Sequence, residues 1–120
     1  MKPVWIVDDD RSIRWVLEKT LSREGIPFKS FASATEAISQ LEQGAEPPQV
    51  LMSDIRMPGQ SGLELLQKLR QDPRPASVPV VMVTSEREKA YVISALRAGA
   101  KNYIVKPFTQ QVFGKKVGPL

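Results

Sequence analysis

A chain of 120 residues fits one compact domain with a single core. It has neither cysteine nor histidine, which excludes a disulfide framework, a thiolate zinc site, a thiol nucleophile and any mechanism that needs an imidazole of its own. The 17 lysines and arginines outnumber the 13 acids for a net charge of +4, but they are scattered along the chain, so no direct nucleic-acid contact is expected.

In chain order, the unbroken apolar run "VWIV" predicts a strand over 4–7. Ile13, Val16, Leu17, Thr20 and Leu21 then form a helical stripe that stops before Gly25, a residue suited to the left-handed turn after a helix. The stretch "PFKSF" alternates and carries Pro27 and Lys29, so the strand over 28–31 belongs at a sheet edge. A second helix is predicted over 35–43, with Ala37, Ile38 and Leu41 facing inward and Gly44 behind it. "VLM" marks a strand over 50–53, and Leu65, Leu66 and Leu69 mark a third helix over 62–70 before the loop "DPRPASVP". "VVMV" gives a strand over 80–83, and Ala90, Ile93 and Leu96 a fourth helix over 86–98 ending at Gly99. A last strand covers 103–105. Short apolar runs alternating with helical segments describe an α/β domain around a parallel sheet, and the uninterrupted runs belong in its middle, covered on both faces. No stretch approaches the roughly 20 apolar residues of a membrane span, and the N-terminus lacks the apolar segment of a signal peptide, so a cytoplasmic protein without membrane contact is expected.

Each central run leads into a polar residue able to do chemistry: Asp8 and Asp9 after the first, Asp54 after the third, Thr84 after the fourth and Lys106 after the fifth. In a parallel sheet these positions share one edge, where open sheets of this type bind ligands. Neighbouring strands lie only about 4.8 Å apart, so carboxylates at adjacent strand ends repel strongly and need a cation. Without histidine or cysteine nearby, the oxygen donors favour Mg²⁺ or Mn²⁺. Asp54, alone at its strand end before a Pro and Gly turn, is the carboxylate placed to act as nucleophile. Lys106 would supply positive charge to a transferring phosphoryl group, and the Thr84 hydroxyl would donate to its oxygens. Singly, each residue has an ordinary reading as a helix cap or surface lysine; together, at four strand ends, coincidence is a poor account. Asp10 is read as the cap of the first helix.

The segments "IVDDD", "SDIRMPGQSG", "VTS" and "YIVKPFT", in this order, resemble the receiver domain of two-component response regulators over about residues 4–109. The resemblance implies a flavodoxin-like, doubly wound, five-stranded parallel sheet of order 2-1-3-4-5 and a single receiver domain over 1–120. It implies that Asp54 is the phosphoacceptor, that Asp8 and Asp9 hold Mg²⁺ with the Arg56 backbone carbonyl, and that Lys106 contacts the phosphate. Thr84 matches the family's switch hydroxyl and Tyr103 its switch aromatic. The implied partners are a sensor histidine kinase supplying phosphohistidine, which the absence of histidine here fits, and a downstream effector domain or target. "DDDRSIRWVLEKTL" and "SDIRMPG" look most like receivers of nitrogen-regulation activators, whereas "VPVVMVTSEREKAYVISALRAGAKNYIVKPFT" looks more like free-standing chemotaxis-type receivers, the pattern a chimera would give.

The segment "TQQVFGKKVGPL" departs from the family pattern: Gly114, Gly118 and Pro119 leave room for a shortened last helix that needs tertiary support or is disordered. Apolar surface left beside the first helix would then favour self-association through that side. Two other classes compete with a signalling phosphoacceptor, which is not an enzyme in the usual sense. A Mg²⁺-dependent phosphohydrolase with an Asp nucleophile would need a cap or substrate loop for which no length is spare. A receiver-like binding module that is never phosphorylated would have no use for the intact acid cluster with Thr84 and Lys106.

Overall fold

The computed structural model describes residues 2–54, 65–67, 70, 78–84, 92–97 and 99–105. Five parallel strands, β1 (Val4–Val7), β2 (Phe28–Phe31), β3 (Val50–Asp54), β4 (Val80–Thr84) and β5 (Asn102–Val105), form one sheet of order β2-β1-β3-β4-β5. Every residue of β1, β3 and β4 is buried, while β2 at the edge is only partly so, as unbroken and alternating sequence patterns dictate. The expected order and edge assignment are therefore found. β3 and β4 each run one residue further than the strands expected over 50–53 and 80–83, so Asp54 and Thr84 are the last residues of their strands.

The two-residue period of the strands divides the core. Trp5, Val7, Leu51, Val80 and Met82 pack on one face with Ala34, Ala37 and Leu41 of α2 (Ala34–Glu42), with the helical residues Leu65 and Leu66, and with Ala95 of the Val92–Arg97 helix. Val4, Ile6, Val50, Met52, Val81, Val83 and Ile104 pack on the other with Leu17 and Leu21 of α1 (Arg11–Arg23). Helices thus cover both faces, which gives the doubly wound class. The Trp5 ring lies 4.9 Å from that of Phe31, and its buried indole N–H has no hydrogen-bond partner among the described residues.

Local signals fix the helix ends. Asp10 caps α1, its Oδ1 accepting from the Ser12 and Ile13 amides at 2.8 and 3.3 Å. At the far end Gly25 takes φ +69, which lets its amide reach the Ser22 carbonyl at 3.1 Å and the Ile26 amide reach that of Leu21 at 2.9 Å. α2 starts at Ala34, one residue earlier than its apolar stripe indicates, because Ser33 is the cap. The Ser33 hydroxyl accepts from the Glu36 amide at 3.2 Å, and the Glu36 carboxylate reaches back past the cap to accept from the Ala32 amide at 2.8 Å. Ser33→Ala should cost about 1 kcal/mol of unfolding free energy, read as a lower denaturant midpoint at unchanged slope.

Two helical stripes differ from expectation. On α1, Leu17 and Leu21 are buried and Ile13 partly so, but Val16 is 39% exposed and the Thr20 hydroxyl instead donates to the Val16 carbonyl. The helix points Leu17 at the sheet, and Val16, about 100° round the axis, lies at the margin. In the Val92–Arg97 helix the inward residue is Ala95, while Ile93 and Leu96 are 60% and 41% exposed. With Ala95 inward, Ile93 stands about 200° away and must face solvent. A three-residue apolar spacing was thus mistaken for the buried face; Ala90 and Leu69 lie outside the described residues.

Candidate functional site

Register brings the acids together. Val7 pairs with Ser53, so the next residues, Asp8 and Asp54, leave neighbouring strands side by side and continue the face of Ile6 and Met52. One carboxylate oxygen from each of Asp8, Asp9 and Asp54 lies within 4.8 Å of the others. Asp8 and Asp54 are buried at 1% and 6% exposure, whereas Asp9 is exposed. Such a set, all carboxylate oxygen in a chain without imidazole or thiolate, fits a small, hard divalent cation open to solvent on the Asp9 side.

Hydrogen bonds hold the turn that carries Asp8 and Asp9. The Asp8 amide donates to the Phe31 carbonyl of β2 at 3.1 Å, the Asp10 amide donates to Asp8 Oδ1 at 2.9 Å, and Arg14 Nη1 donates to the Asp8 carbonyl at 2.6 Å. Asp54 ends β3, where the Ser53 hydroxyl donates to its carbonyl at 3.0 Å. Thr84, wholly buried, ends β4 next in the sheet. Tyr103 pairs with Met82 and packs, half-buried, against the same core face, so by the strand period Tyr103 and Thr84 share one side of the sheet. The structure thus brings Asp8, Asp9 and Asp54 into one cluster and ends the neighbouring strand at Thr84, on the side of the sheet that Tyr103 shares. Arg56, Lys106 and the last helix lie outside the described residues.

The response regulator receiver domain model matches residues 4–117. The chain belongs to the response regulator receiver family. It is 43% identical over 105 residues to the DNA-binding transcriptional regulator NtrC of Salmonella typhimurium, covering 88% of this chain and 22% of that protein. This receiver domain therefore spans about a fifth of the NtrC relatives it matches. It is also 43% identical over 113 residues to the chemotaxis protein CheY1 of Helicobacter pylori, covering 93% and 90% of the two chains. Relatives of both kinds seen in its sequence, nitrogen-regulation and chemotaxis-type, thus match across most of its length. Among solved structures, the chemotaxis response regulator CheY4 of Vibrio cholerae superposes with a TM-score of 0.85 at 30% identity, covering 96% and 94% of the two chains.

The receiver's polar tether was not anticipated from its sequence. Arg14 reads as a solvated helix residue, and its only signal is a cation in a first turn that contains no acid. No described helix is long and apolar enough to cross a membrane.

Proposed function

We propose that this receiver accepts a phosphoryl group on Asp54 from a phosphohistidine of a sensor histidine kinase and thereby changes its preference for a downstream effector domain or target. The observation that carries this reading is the cluster of three carboxylate oxygens within 4.8 Å, with Asp54 buried at its strand end, in a chain of the receiver family. An Asp54 oxygen forms the new O–P bond as the N–P bond of the donor breaks and the imidazole nitrogen keeps the electron pair. Asp8, Asp9 and Asp54, with the backbone carbonyl of Arg56, would hold Mg²⁺; Mn²⁺ has the same donor preference. When bound, the ion offsets the carboxylate charges and the charge of the incoming phosphoryl oxygens.

Lys106 supplies a second positive charge to those oxygens, and the Thr84 hydroxyl donates to one of them. A charge gained at the end of β3 draws Thr84 toward it, and space vacated on that side of the sheet admits Tyr103, which shifts the population between two existing states of the surrounding face. The modification is made once per cycle on the protein itself, so this is a signalling domain rather than a catalyst turning over a small phosphoester. Its place is the cytoplasm, where a kinase phosphohistidine can reach it. The test is intact-mass measurement after incubation with a small acyl phosphate: a gain of one phosphoryl group with Mg²⁺ and none in excess chelator is expected. Multiple turnover of the donor with no labelled protein would instead indicate a phosphohydrolase.

Self-association is a separate expectation. Trp15, 57% exposed, and Val16 form an apolar surface on α1. Lys19 Nζ, 5.1 Å from the Trp15 ring centroid, covers part of it. Sedimentation over a wide concentration range should show a mass that rises with concentration; a single monomer throughout would dismiss association through this side.

A further inference from the structure

The three acids of the cluster are not held equally. Asp54 is buried at the end of a strand paired on both sides, and Asp8 is buried with its Oδ1 accepting the Asp10 amide at 2.9 Å. Asp9 is exposed, and among the described residues its carboxylate has no hydrogen-bond partner. The backbone, which places its Cα–Cβ bond, therefore sets the rotamers from which the carboxylate can reach the cluster. The Asp8 carbonyl and the Asp9 amide belong to one rigid peptide plane, and that carbonyl takes the 2.6 Å bond from Arg14 Nη1.

Arg14 sits on the turn that carries three carboxylates, Asp8, Asp9 and the capping Asp10, as well as beside a helix N-terminus. It stands one turn into α1, near the positive end of the helix dipole, with Arg11 at the helix start and no acid in the first turn. Its side chain is half-buried and folds back over the turn instead of extending into water. Nearby carboxylate charge accounts for a cation here, but not for the aim of its Nη1 at one backbone oxygen, and that bond holds the peptide plane. We infer that Arg14 is a positioning residue: by clamping the Asp8–Asp9 peptide plane it aims the Asp9 carboxylate at the oxygens of Asp8 and Asp54 and so sets the affinity of the cluster for a divalent cation.

The inference rests on the cation reading of the site. The guanidinium also brings positive charge toward a cation site, so a purely electrostatic role would have the opposite sign: removing it would tighten cation binding. Arg14→Met, which keeps length and removes both donor and charge, should fold, because Arg14 belongs to neither core cluster; Arg14→Gln serves as a second variant. Calorimetric titration with Mg²⁺ should show about a tenfold weaker affinity for Arg14→Met, the size typical of outer-shell partners of metal ligands. Arg14→Lys, which retains a donor able to reach the carbonyl, should stay within about threefold of the parent. In metal-free protein, amide exchange at Asp9 and Asp10 should speed up in Arg14→Met while that of Leu17 and Leu21 is unchanged. Unchanged or tighter Mg²⁺ binding by Arg14→Met, a Lys variant as weak as the Met variant, or unaltered exchange at Asp9 would each overturn the assignment. If the parent itself bound no Mg²⁺, the cation reading would fail, and the exchange measurement would still decide whether Arg14 holds the turn.

Discussion

Asp54→Asn should leave a folded protein that takes up no phosphoryl group under conditions where the parent is labelled. The amide has the same shape but lacks the negative oxygen that forms the O–P bond, and no second carboxylate replaces it: Asp8 is turned toward the Asp10 amide, and Asp9 is exposed at the rim. The same substitution should act on stability in the opposite direction. Two charges about 4.8 Å apart at an effective dielectric of about 20 repel by on the order of 3 kcal/mol, less where water screens Asp9. Removing one member should therefore stabilise the metal-free protein by about 1–2 kcal/mol and reduce the gain in melting temperature on adding Mg²⁺, since fewer charges are left for the ion to offset. Intact mass and thermal unfolding with and without Mg²⁺ read both effects. Equal labelling of parent and variant would move the acceptor elsewhere; lower metal-free stability of Asp54→Asn would mean that the three carboxylates do not share one field.

The parts of this fold legible in the sequence are those decided by burial. β1 and β2 begin and end where the sequence pattern places them, because a strand covered on both faces cannot interrupt its apolar run, and an edge strand can admit Lys29. The cluster of Asp8, Asp9 and Asp54 was legible for a related reason: strands of a parallel sheet all end at the same rim, so polarity appearing at each end converges without any need to know the loops. The order of the strands was another matter. Which apolar run lies beside which is a non-local choice, and the order came from resemblance, not periodicity. Helix orientation was misread where several apolar stripes compete: Ile93 and Leu96 outrank Ala95 in hydrophobicity, yet Ala95 is the residue turned to the sheet, where its small side chain permits close approach. The Arg14 tether was illegible because a bond from a side chain to a backbone oxygen six residues earlier leaves no composition or spacing signal.

Leu51→Ala should be the most damaging single core truncation of β3, costing about 3 kcal/mol out of the roughly 5–15 kcal/mol that stabilise a domain. Leu51 is fully buried near the start of the central strand, paired with Trp5 of β1 and Val80 of β4, and all three side chains belong to the cluster beneath α2. Neither flank can collapse into the space left, because both neighbours are held in register by their own ladders, so the cavity term adds to the lost transfer energy. Trp15→Ala is the matched control. It removes a larger side chain that is 57% exposed and contacts Lys19, so it should cost no more than about 1 kcal/mol. Denaturant unfolding of both variants gives the comparison, with an unchanged slope required for the stability reading. The folded fraction of Leu51→Ala should still be labelled on Asp54, because the ladders to β1 and β4 fix the end of β3 independently of the side chain at its start. Equal costs for the two substitutions would mean that Leu51 is not enclosed between Trp5 and Val80 as the register places it, and the pairing that sets Asp54 beside Asp8 would then be wrong as well.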